Sequence, residues 1–170
     1  MFRKHYTLEN LAKNQTLLLQ GETSRHAYFV ESGCLRLWYN NDGEDISVKF
    51  FLAGDTVASL DSFYLNTPSK FGLESVAPSK VRVASRKDLQ AKMEASSDFT
   101  SKMLTVAVHC MSDYQDLFVN RIAASPEDRY KMLLNRDPKL FDIVSQRHIA
   151  SYLGITPVSL SRIRRKLKRI

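Results

Sequence analysis

The chain has 170 residues, of which 44% are apolar and 25% charged, and its formal net charge is +7. This composition is that of a globular protein with a core, which argues against global disorder. The longest nearly uncharged apolar stretch, residues 103–111, is less than half of a membrane span, and no leader pattern precedes the first predicted strand, so we expect a cytoplasmic protein without a membrane partner.

The cysteines and histidines do not suggest a cofactor. The two cysteines, Cys34 and Cys110, are far apart and lack Cys-x-x-Cys or Cys/His spacing, and no His-x-His pair occurs. Zinc and iron–sulfur sites need such clustered ligands. Gly-rich phosphate loops, nucleophile elbows and suggestive acid pairs are also missing from the sequence. We therefore expect free thiols, no metal or other cofactor, and no enzymatic activity.

The positive charge is concentrated at one end of the chain. Residues 1–120 contain 13 Lys and Arg against 14 Asp and Glu, whereas residues 121–170 contain 12 against 4. Half of these twelve cations lie between Arg162 and Arg169. Such asymmetry indicates a polyanion-binding end on a neutral body.

Short β-type runs separated by turn residues extend to about residue 85. Their spacing of roughly 8 to 12 residues predicts an antiparallel sandwich or barrel. Asp42-Gly43 can adopt the positive φ angles of a tight hairpin between the fourth and fifth runs. The predicted strands are residues 6–8, 16–20, 27–30, 34–39, 46–52, 72–77 and 80–84.

Two helices are predicted after the strands. The first covers residues 86–95; the second begins near Ser97, interpreted as its N-cap, and continues to about Ala124, roughly 40 Å at 1.5 Å per residue. The second helix has two apolar seams and therefore needs two partners, which we take to be its own barrel and a second copy of the chain. The alternative is a helix enclosed within one subunit. The first seam, assigned to the dimer contact, is Phe99, Met103, Val106, Cys110 and Leu117; the other is Leu104, Val108, Met111, Phe118 and Ile122.

A third unit is predicted to begin at Ser125-Pro126, where Ser can cap a helix and Pro can occupy its first position. This helix is expected to end before Asp137-Pro138, because the residue before proline avoids helical angles. The predicted domains are residues 1–96, a barrel; residues 97–124, a long dimerisation helix; and residues 125–170, the basic C-terminal unit.

The last part of the chain has the spacing of a helix-turn-helix. Ser145 can cap a helix that ends at Leu153, Gly154 can take the left-handed turn, and Thr156 with Pro157 can begin a final helix to about Arg169. On that helix an apolar stripe can pack on Ile149 and Leu153, with small Ala150 permitting a close crossing. The stripe is Leu160, Ile163, Leu167 and Ile170, and the opposite face is Val158, Ser161, Arg162, Arg165 and Arg169.

An α-helix that lies in a major groove needs an apolar stripe on one face for packing and small and cationic residues on the opposite face. The alternative is a terminal amphipathic helix whose cations are only solvated. A membrane-surface helix is disfavoured, because the stripe lacks Trp and Phe and is explained by the neighbouring helix. On the first helix of the pair, His148 could touch phosphate, but we favour a surface polar role.

Two stretches carry a family resemblance. The C-terminal motif resembles the helix-turn-helix of the Crp/Fnr family of bacterial transcription regulators, and it reads SQRHIASYLGITPVSLSRIRRKL. The strands resemble that family's cyclic-nucleotide-binding-type barrel, in YFVESGCLRLWYNNDGEDISVKFFLAGD. The resemblance implies an α+β fold: an antiparallel jelly-roll barrel (double-stranded β-helix), a long dimerisation helix and a C-terminal helix-turn-helix domain.

The resemblance also implies site residues. By position, the base-contacting residues would be Val158, Ser161 and Arg162, with Arg162 matching a common guanine contact. Val158 stands where many members have an acidic residue, so this chain cannot accept from cytosine N4 and would instead meet a thymine methyl. The implied phosphate contacts are Ser145, Gln146, Arg147, Thr156, Ser159, Arg165 and Lys166.

The effector site departs from the family pattern. Members that bind cyclic AMP use Gly-Glu-Leu for the ribose and, eleven residues after the Gly, Arg-Ser-Ala for the phosphate. This chain has Ala58-Ser59-Leu60 and then Ser69-Lys70-Phe71, so both charged anchors are missing. Unless Lys70 substitutes as a point charge, we predict no cyclic AMP binding, because a buried phosphate without a cation is costly. The pocket between Ala58 and Phe71 would take another small-molecule effector or none.

The sequence therefore favours a homodimeric, sequence-specific DNA-binding transcription regulator of the Crp/Fnr type that does not respond to cyclic AMP. The expected partners are double-stranded DNA, a second copy of the chain and RNA polymerase. The alternative is a ligand-binding barrel protein that has lost DNA binding, since the family's usual N-terminal helix and the hairpin after the recognition helix are missing from this sequence.

Overall fold

The computed structural model describes residues 6–167, so the expectations for Arg169 and Ile170 lie outside the described residues. Eight strands and two short connecting helices are followed by a helical C-terminal half. The strands are β1 (Thr7–Leu11), β2 (Thr16–Leu18), β3 (His26–Ser32), β4 (Leu35–Asn41), β5 (Glu44–Phe51), β6 (Thr56–Val57), β7 (Gly72–Ser75) and β8 (Ser79–Ser85). The helices are α1 (Leu60–Leu65), α2 (Arg86–Ala95), α3 (Ser97–Ala123), α4 (Pro126–Arg136), α5 (Leu140–Ile143), α6 (Gln146–Leu153) and α7 (Pro157–Leu167).

The strands form two four-stranded antiparallel sheets in the orders β1-β8-β3-β6 and β2-β7-β4-β5. Val30 pairs with Val81 in the first sheet, and Leu37 pairs with Leu73 in the second. All four side chains are buried in one hydrophobic cluster between the sheets. The predicted antiparallel barrel is therefore confirmed, and its core comes from the inward face of the alternating strands.

The hairpin between β4 and β5 also follows the prediction. Asn41 pairs with Glu44, so the turn consists of two residues. Both have positive φ, 51° at Asp42 and 94° at Gly43. These angles are those of a type I′ turn, whose twist suits two antiparallel strands.

Three short elements have no counterpart in the sequence-based prediction: β6, α1 and α5. Two, six and four residues are too few to show a period. Their residues are instead fixed by burial, as for Phe63 on α1 and Leu140 on α5. The N-cap of α3 also differs by one residue: the hydroxyl of Ser96, not Ser97, accepts from the Phe99 N–H at 3.2 Å.

The long helix α3 has 27 residues and none of them is fully buried. Its length and bounds agree with the prediction. Within residues 6–167, no helix is both long and apolar enough to cross a membrane.

The C-terminal helices share a hydrophobic cluster with the barrel. Phe50 of β5 belongs to the same cluster as Tyr130 of α4, Ile149 of α6 and Leu160 of α7. The predicted boundaries at residues 96/97 and 124/125 coincide with the ends of α2 and α3, but this shared cluster means that the last helices do not form a separate core. The three-domain division stays a prediction.

Candidate nucleic-acid interface

Capping residues fix α6, α7 and the turn between them. The Ser145 hydroxyl accepts from the His148 N–H at 3.3 Å at the start of α6, and Gly154 ends that helix with φ 64°. The Thr156 hydroxyl accepts from the Ser159 N–H at 3.1 Å at the start of α7. These are the caps that the sequence predicts, and they fix the relative direction of the two helices.

The underside of α7 is held by a small core. Leu160 is fully buried, as are Ile149, Ala150 and Leu153 of α6. Ile163 and Leu167 pack at the edge of the same cluster. Because one stripe of α7 is used in this way, its rotation about its own axis is fixed and the opposite face points away from the protein.

That opposite face is open and cationic. Val158 is 61% exposed, and Ser161, Arg162 and Arg165 are also exposed. Within residues 6–167, neither Arg162 nor Arg165 forms an ion pair with a carboxylate. Two uncompensated guanidinium groups therefore extend from a helix whose position is set by its core contacts.

The residues predicted to contact phosphate lie in two places. Ser145, Gln146 and Arg147 are exposed at the N-terminus of α6, where backbone N–H groups and the helix dipole favour an anion. Thr156 directly precedes α7, and Ser159, Arg165 and Lys166 lie on it; the hydroxyls of Thr156 and Ser159 hydrogen-bond to each other at 3.0 Å.

Lys166 already has a partner. Its Nζ lies 2.6 Å from a carboxylate oxygen of Glu127 on α4, and Lys131 binds the other oxygen at 2.9 Å. Hydrogen bonds from Lys166 and then Lys131 lower the pKa of Glu127. This pair is exposed and therefore weak, so Lys166 can exchange partners at small cost.

Helix α6 lies against strand β5 of the barrel. The Ser47 N–H donates to the Ser151 hydroxyl at 2.9 Å, and that hydroxyl donates to the Asp45 carbonyl at 3.2 Å. The rings of Phe50 and Tyr152 are 5.4 Å apart. The barrel thus sets the position of α6, and α6 in turn sets the position of α7.

His148 lies in this contact rather than on the free surface, which differs from the favoured sequence-based interpretation. It is partly buried, and within residues 6–167 its Nδ1 has no hydrogen-bond partner. Burial, followed by the positive charges of Arg36 and Arg147, lowers the pKa of His148 to about 4. Sequence alone could not reveal this, because Arg36 belongs to β4, 112 positions away in the chain.

The barrel pocket at the predicted effector position is apolar. A cavity of about 390 Å³ lies between the barrel and α3, and among the described residues Asp61 is the only charged one in its lining. Ser59, Leu60 and Phe71 line it, whereas Lys70 is exposed and outside its lining. Ser69 is buried; its hydroxyl oxygen lies 2.8 Å from Ser59 Oγ and 2.7 Å from the Phe71 carbonyl oxygen, and it accepts from the Phe71 N–H at 3.0 Å.

The two seams of α3 have different surroundings. Met103, Val106 and Cys110 line a small cavity together with barrel residues, and Phe99 packs beside Phe63 and Leu89. Leu117 faces α4 and α6 across another cavity. This first seam, expected to form the dimer contact, therefore faces the chain's own barrel and C-terminal helices. That assignment is corrected, because a seam already in contact cannot receive a partner helix.

The second seam is the open one. Phe118 is 67% exposed and Ile122 is 70% exposed. Leu104, Val108 and Met111 on the same seam are also exposed. An exposed apolar seam of this length, interrupted at Gln115, indicates an interaction surface.

Both cysteines are free, as predicted. Burial, the largest cause, raises the pKa of Cys34 to about 12. A buried thiol that stays protonated is unreactive.

Comparisons with known proteins agree with this architecture. The solved structure of FixK2 from Bradyrhizobium japonicum superposes with a TM-score of 0.85 at 20% identity, covering 96% of this chain and 85% of that one. The regulator CLP from Xanthomonas campestris, described as c-di-GMP responsive, gives 0.74 at 16% identity, covering 97% and 87%. A candidate transcriptional regulator of the Crp/Fnr family from Eubacterium rectale gives 0.77 at 15%, covering 98% and 80%.

At these identities the likeness shows the fold, which is that of Crp/Fnr-type proteins. The model of the cyclic nucleotide-binding domain matches residues 8–96, more than half of the chain. The chain therefore belongs to the cyclic nucleotide-binding domain family. No protein of curated function matches the sequence.

The position of His148 gives a testable pH dependence. Because its pKa is lower in the folded chain than the ordinary 6.5, the unfolded chain binds the proton more tightly. The free energy of unfolding should therefore fall as pH decreases from about 6.5 towards about 4, and this group should add no slope above that range. His148→Gln should reduce the decrease, measured by urea unfolding at pH 7 and pH 5.

The control is His26→Gln, which changes an exposed histidine on β3. It should retain the wild-type difference between the two pH values. If His148→Gln loses as much stability on acidification as the wild type, burial and the nearby charges do not lower the pKa of His148 in the folded chain.

Proposed function

We propose that the chain is a homodimeric, sequence-specific DNA-binding transcription regulator that does not depend on cyclic AMP. The observation that carries the proposal is the exposed cationic face of α7, fixed from behind by Leu160. A helix of this kind is suited to the major groove, which admits one α-helix with its side chains.

The base contacts would come from three exposed residues near the start of α7. Arg162 is suited to guanine, since its planar fork matches O6 and N7. Val158 offers a methyl-sized apolar contact to thymine, and Ser161 can donate to or accept from a base edge. Arg162 pairs with no carboxylate in the part of the chain that the structure describes, which supports this role because no ion pair has to break first.

Phosphate contacts would fix the register of the helix. Ser145, Gln146 and Arg147 would bind one phosphate at the N-terminus of α6. Thr156, Ser159, Arg165 and Lys166 would follow the backbone beside α7. For Lys166, a phosphate would have to replace the Glu127 carboxylate as the partner of the ammonium group. Both partners are anions, and the replacement would take place at the surface.

Similar proteins support a regulatory role. CLP is described as a global regulator that links cell–cell signalling to virulence gene expression. The sensor domain of the transcriptional regulator DNR from Pseudomonas aeruginosa also resembles part of this chain. We extend this regulatory role to the present chain because of two observations together, its fold and the exposed cationic face of α7.

Arginine variants test the base-reading role. On an operator selected from a random duplex pool, Arg162→Ala should lose about 1–3 kcal/mol of binding free energy and relax preference at one base pair in each half-site. Arg165→Ala should weaken all duplexes alike and reduce the salt slope by about one, because a phosphate contact carries no sequence information. Fluorescence anisotropy at several salt concentrations measures both effects.

Scrambled DNA is the control for this experiment. A specific reader should prefer its operator by roughly 10³ or more. Equal competition by scrambled DNA would favour the alternative, a barrel protein that has lost specific DNA binding. Equal losses on every sequence for both variants would remove Arg162 from base reading.

Dimerisation would use the second seam of α3. Two such faces together can form a two-helix interface, which would set the recognition helices about 34 Å apart for successive major grooves. Met111 of this seam also lines the barrel pocket, whereas Phe118 and Ile122 lie further along α3 and are exposed.

A charge in this seam should separate the dimer. Phe118→Glu should give a monomer by sedimentation velocity, because it places a carboxylate in an apolar interface. The matched control is Leu65→Glu on α1, since Leu65 is 71% exposed and outside α3. A dimer that survives Phe118→Glu would contradict the assignment.

The apolar pocket supports the proposed independence from cyclic AMP. Neither Ser59 nor Ser69 carries a charge, and Ser69 already uses its hydroxyl within the protein. Millimolar cyclic AMP should therefore change neither the melting temperature nor the affinity for the selected operator. A saturable increase in either, abolished by Lys70→Ala, would show that Lys70 replaces the missing arginine.

A further inference from the structure

A second cavity lies where α3 meets the C-terminal helices. It has a volume of about 760 Å³ and is bounded by the end of α3, by α4 and by the end of α6. Three arginines line it, Arg121, Arg129 and Arg136, against a single acid, Asp116. We refer to this cavity as the junction cleft.

Two of these arginines are held in place by helix ends. Arg129 donates to the Ala124 carbonyl at 2.6 Å, at the end of α3, and to the Leu153 carbonyl at 3.1 Å, at the end of α6. Arg121 donates to the Tyr152 carbonyl at 2.9 Å. These carbonyls are unpaired acceptors of helix termini, so the guanidinium groups are fixed before any ligand arrives.

The positive charge in the junction cleft is poorly compensated. Within residues 6–167, Arg121 and Arg129 form no ion pair, and only Arg136 is paired, with Asp137 at 2.6 Å. Burial lowers the pKa of Arg121, and the charge of Arg129 lowers it further. An anion between the two would relieve this repulsion.

The size and the remaining walls indicate the kind of anion. Small-molecule pockets commonly have volumes of about 300–1,000 Å³. Leu117, Met132 and Leu133 supply apolar walls, and Asn120 and Asn135 supply amide groups. Guanidinium groups bind phosphate through paired N–H donors. The chemistry that fits is an organic molecule with a phosphate group and a less polar part.

The junction cleft is separate from the other proposed sites. It adjoins the C-terminal end of α6, and none of the phosphate contacts proposed for DNA, at the N-terminus of α6 and along α7, is among its lining residues. Leu117 and Arg121 precede Phe118 and Ile122 by one residue, so they point about 100° away from the proposed dimer seam. The barrel pocket is lined by other residues.

From this geometry we propose that the junction cleft binds a phosphorylated small molecule of nucleotide size through Arg121, Arg129 and Arg136. The site lies at the contact between α3 and the helices that carry α7. It is independent of whether α7 binds DNA.

Calorimetric titration of the full chain without DNA tests the site, with ATP as the probe and adenosine as its uncharged counterpart. At 150 mM NaCl, ATP should bind saturably with one site per chain, and adenosine at least about tenfold more weakly. Arg121→Gln and Arg136→Gln should each weaken ATP binding about tenfold, since each removes a charge-assisted contact. Circular dichroism verifies that the variants are folded.

Two control variants make the result specific. Lys87→Gln removes an exposed charge on α2, and Arg162→Gln removes one on α7; both should bind ATP like the wild type. The proposal is overturned if ATP does not bind, if adenosine binds equally well, or if Arg162→Gln weakens ATP binding while the cleft variants do not. Loss of operator binding by Arg162→Gln alone leaves this result unchanged, so the two proposals can fail separately.

Discussion

The contact between α6 and strand β5 is the interaction on which the arrangement of the molecule depends. Leu160, Ile149 and Phe50 belong to one hydrophobic cluster, so α7, α6 and the barrel cannot move independently without exposing apolar surface. Ser151 adds two hydrogen bonds to the β5 backbone. The orientation of the cationic face of α7 is therefore a property of the whole chain.

The contact between α6 and β5 also contains a polar group, the imidazole of His148. His148 stays neutral there because burial and the nearby charge of Arg36 oppose its protonation. Arg36 is itself buried and paired with Glu74 at 2.7 Å, so it cannot move away easily. A buried charge next to a neutral imidazole makes this interface more sensitive to protonation than a purely apolar one.

A second connection runs through the end of α3. Arg121 and Arg129 bind the final carbonyls of α3 and α6, and thereby tie the long helix to the C-terminal unit. A Cβ at Gly154 would collide with the Arg121 guanidinium, so the turn glycine serves this contact as well as its own positive φ. The cavity at this junction is cationic, whereas the cavity beside the barrel is apolar.

Local signals in the sequence were sufficient for most of the secondary structure. Asp42-Gly43, Ser125-Pro126 and Gly154 each act within a few residues, and the strand alternation and helix caps are equally local. For the same reason the exposed face of α7 follows from the spacing of Leu160, Ile163 and Leu167. The elements α1, β6 and α5 were not predicted, because their few residues are fixed by distant contacts.

The sequence by itself determined the barrel, the 27-residue helix, the caps of the helix pair and the side of α7 that carries Arg162, since each depends on periodicity or on neighbouring residues. Only the tertiary structure decided which seam of α3 meets the barrel, that the charge of Arg36 acts on His148, and that Arg121, Arg129 and Arg136 line one cavity. Both seams of α3 are apolar at helical spacing, so the periodicity of the sequence cannot decide which of them packs on the barrel. Their partners are chosen by contacts between residues far apart in the chain, which local patterns do not encode.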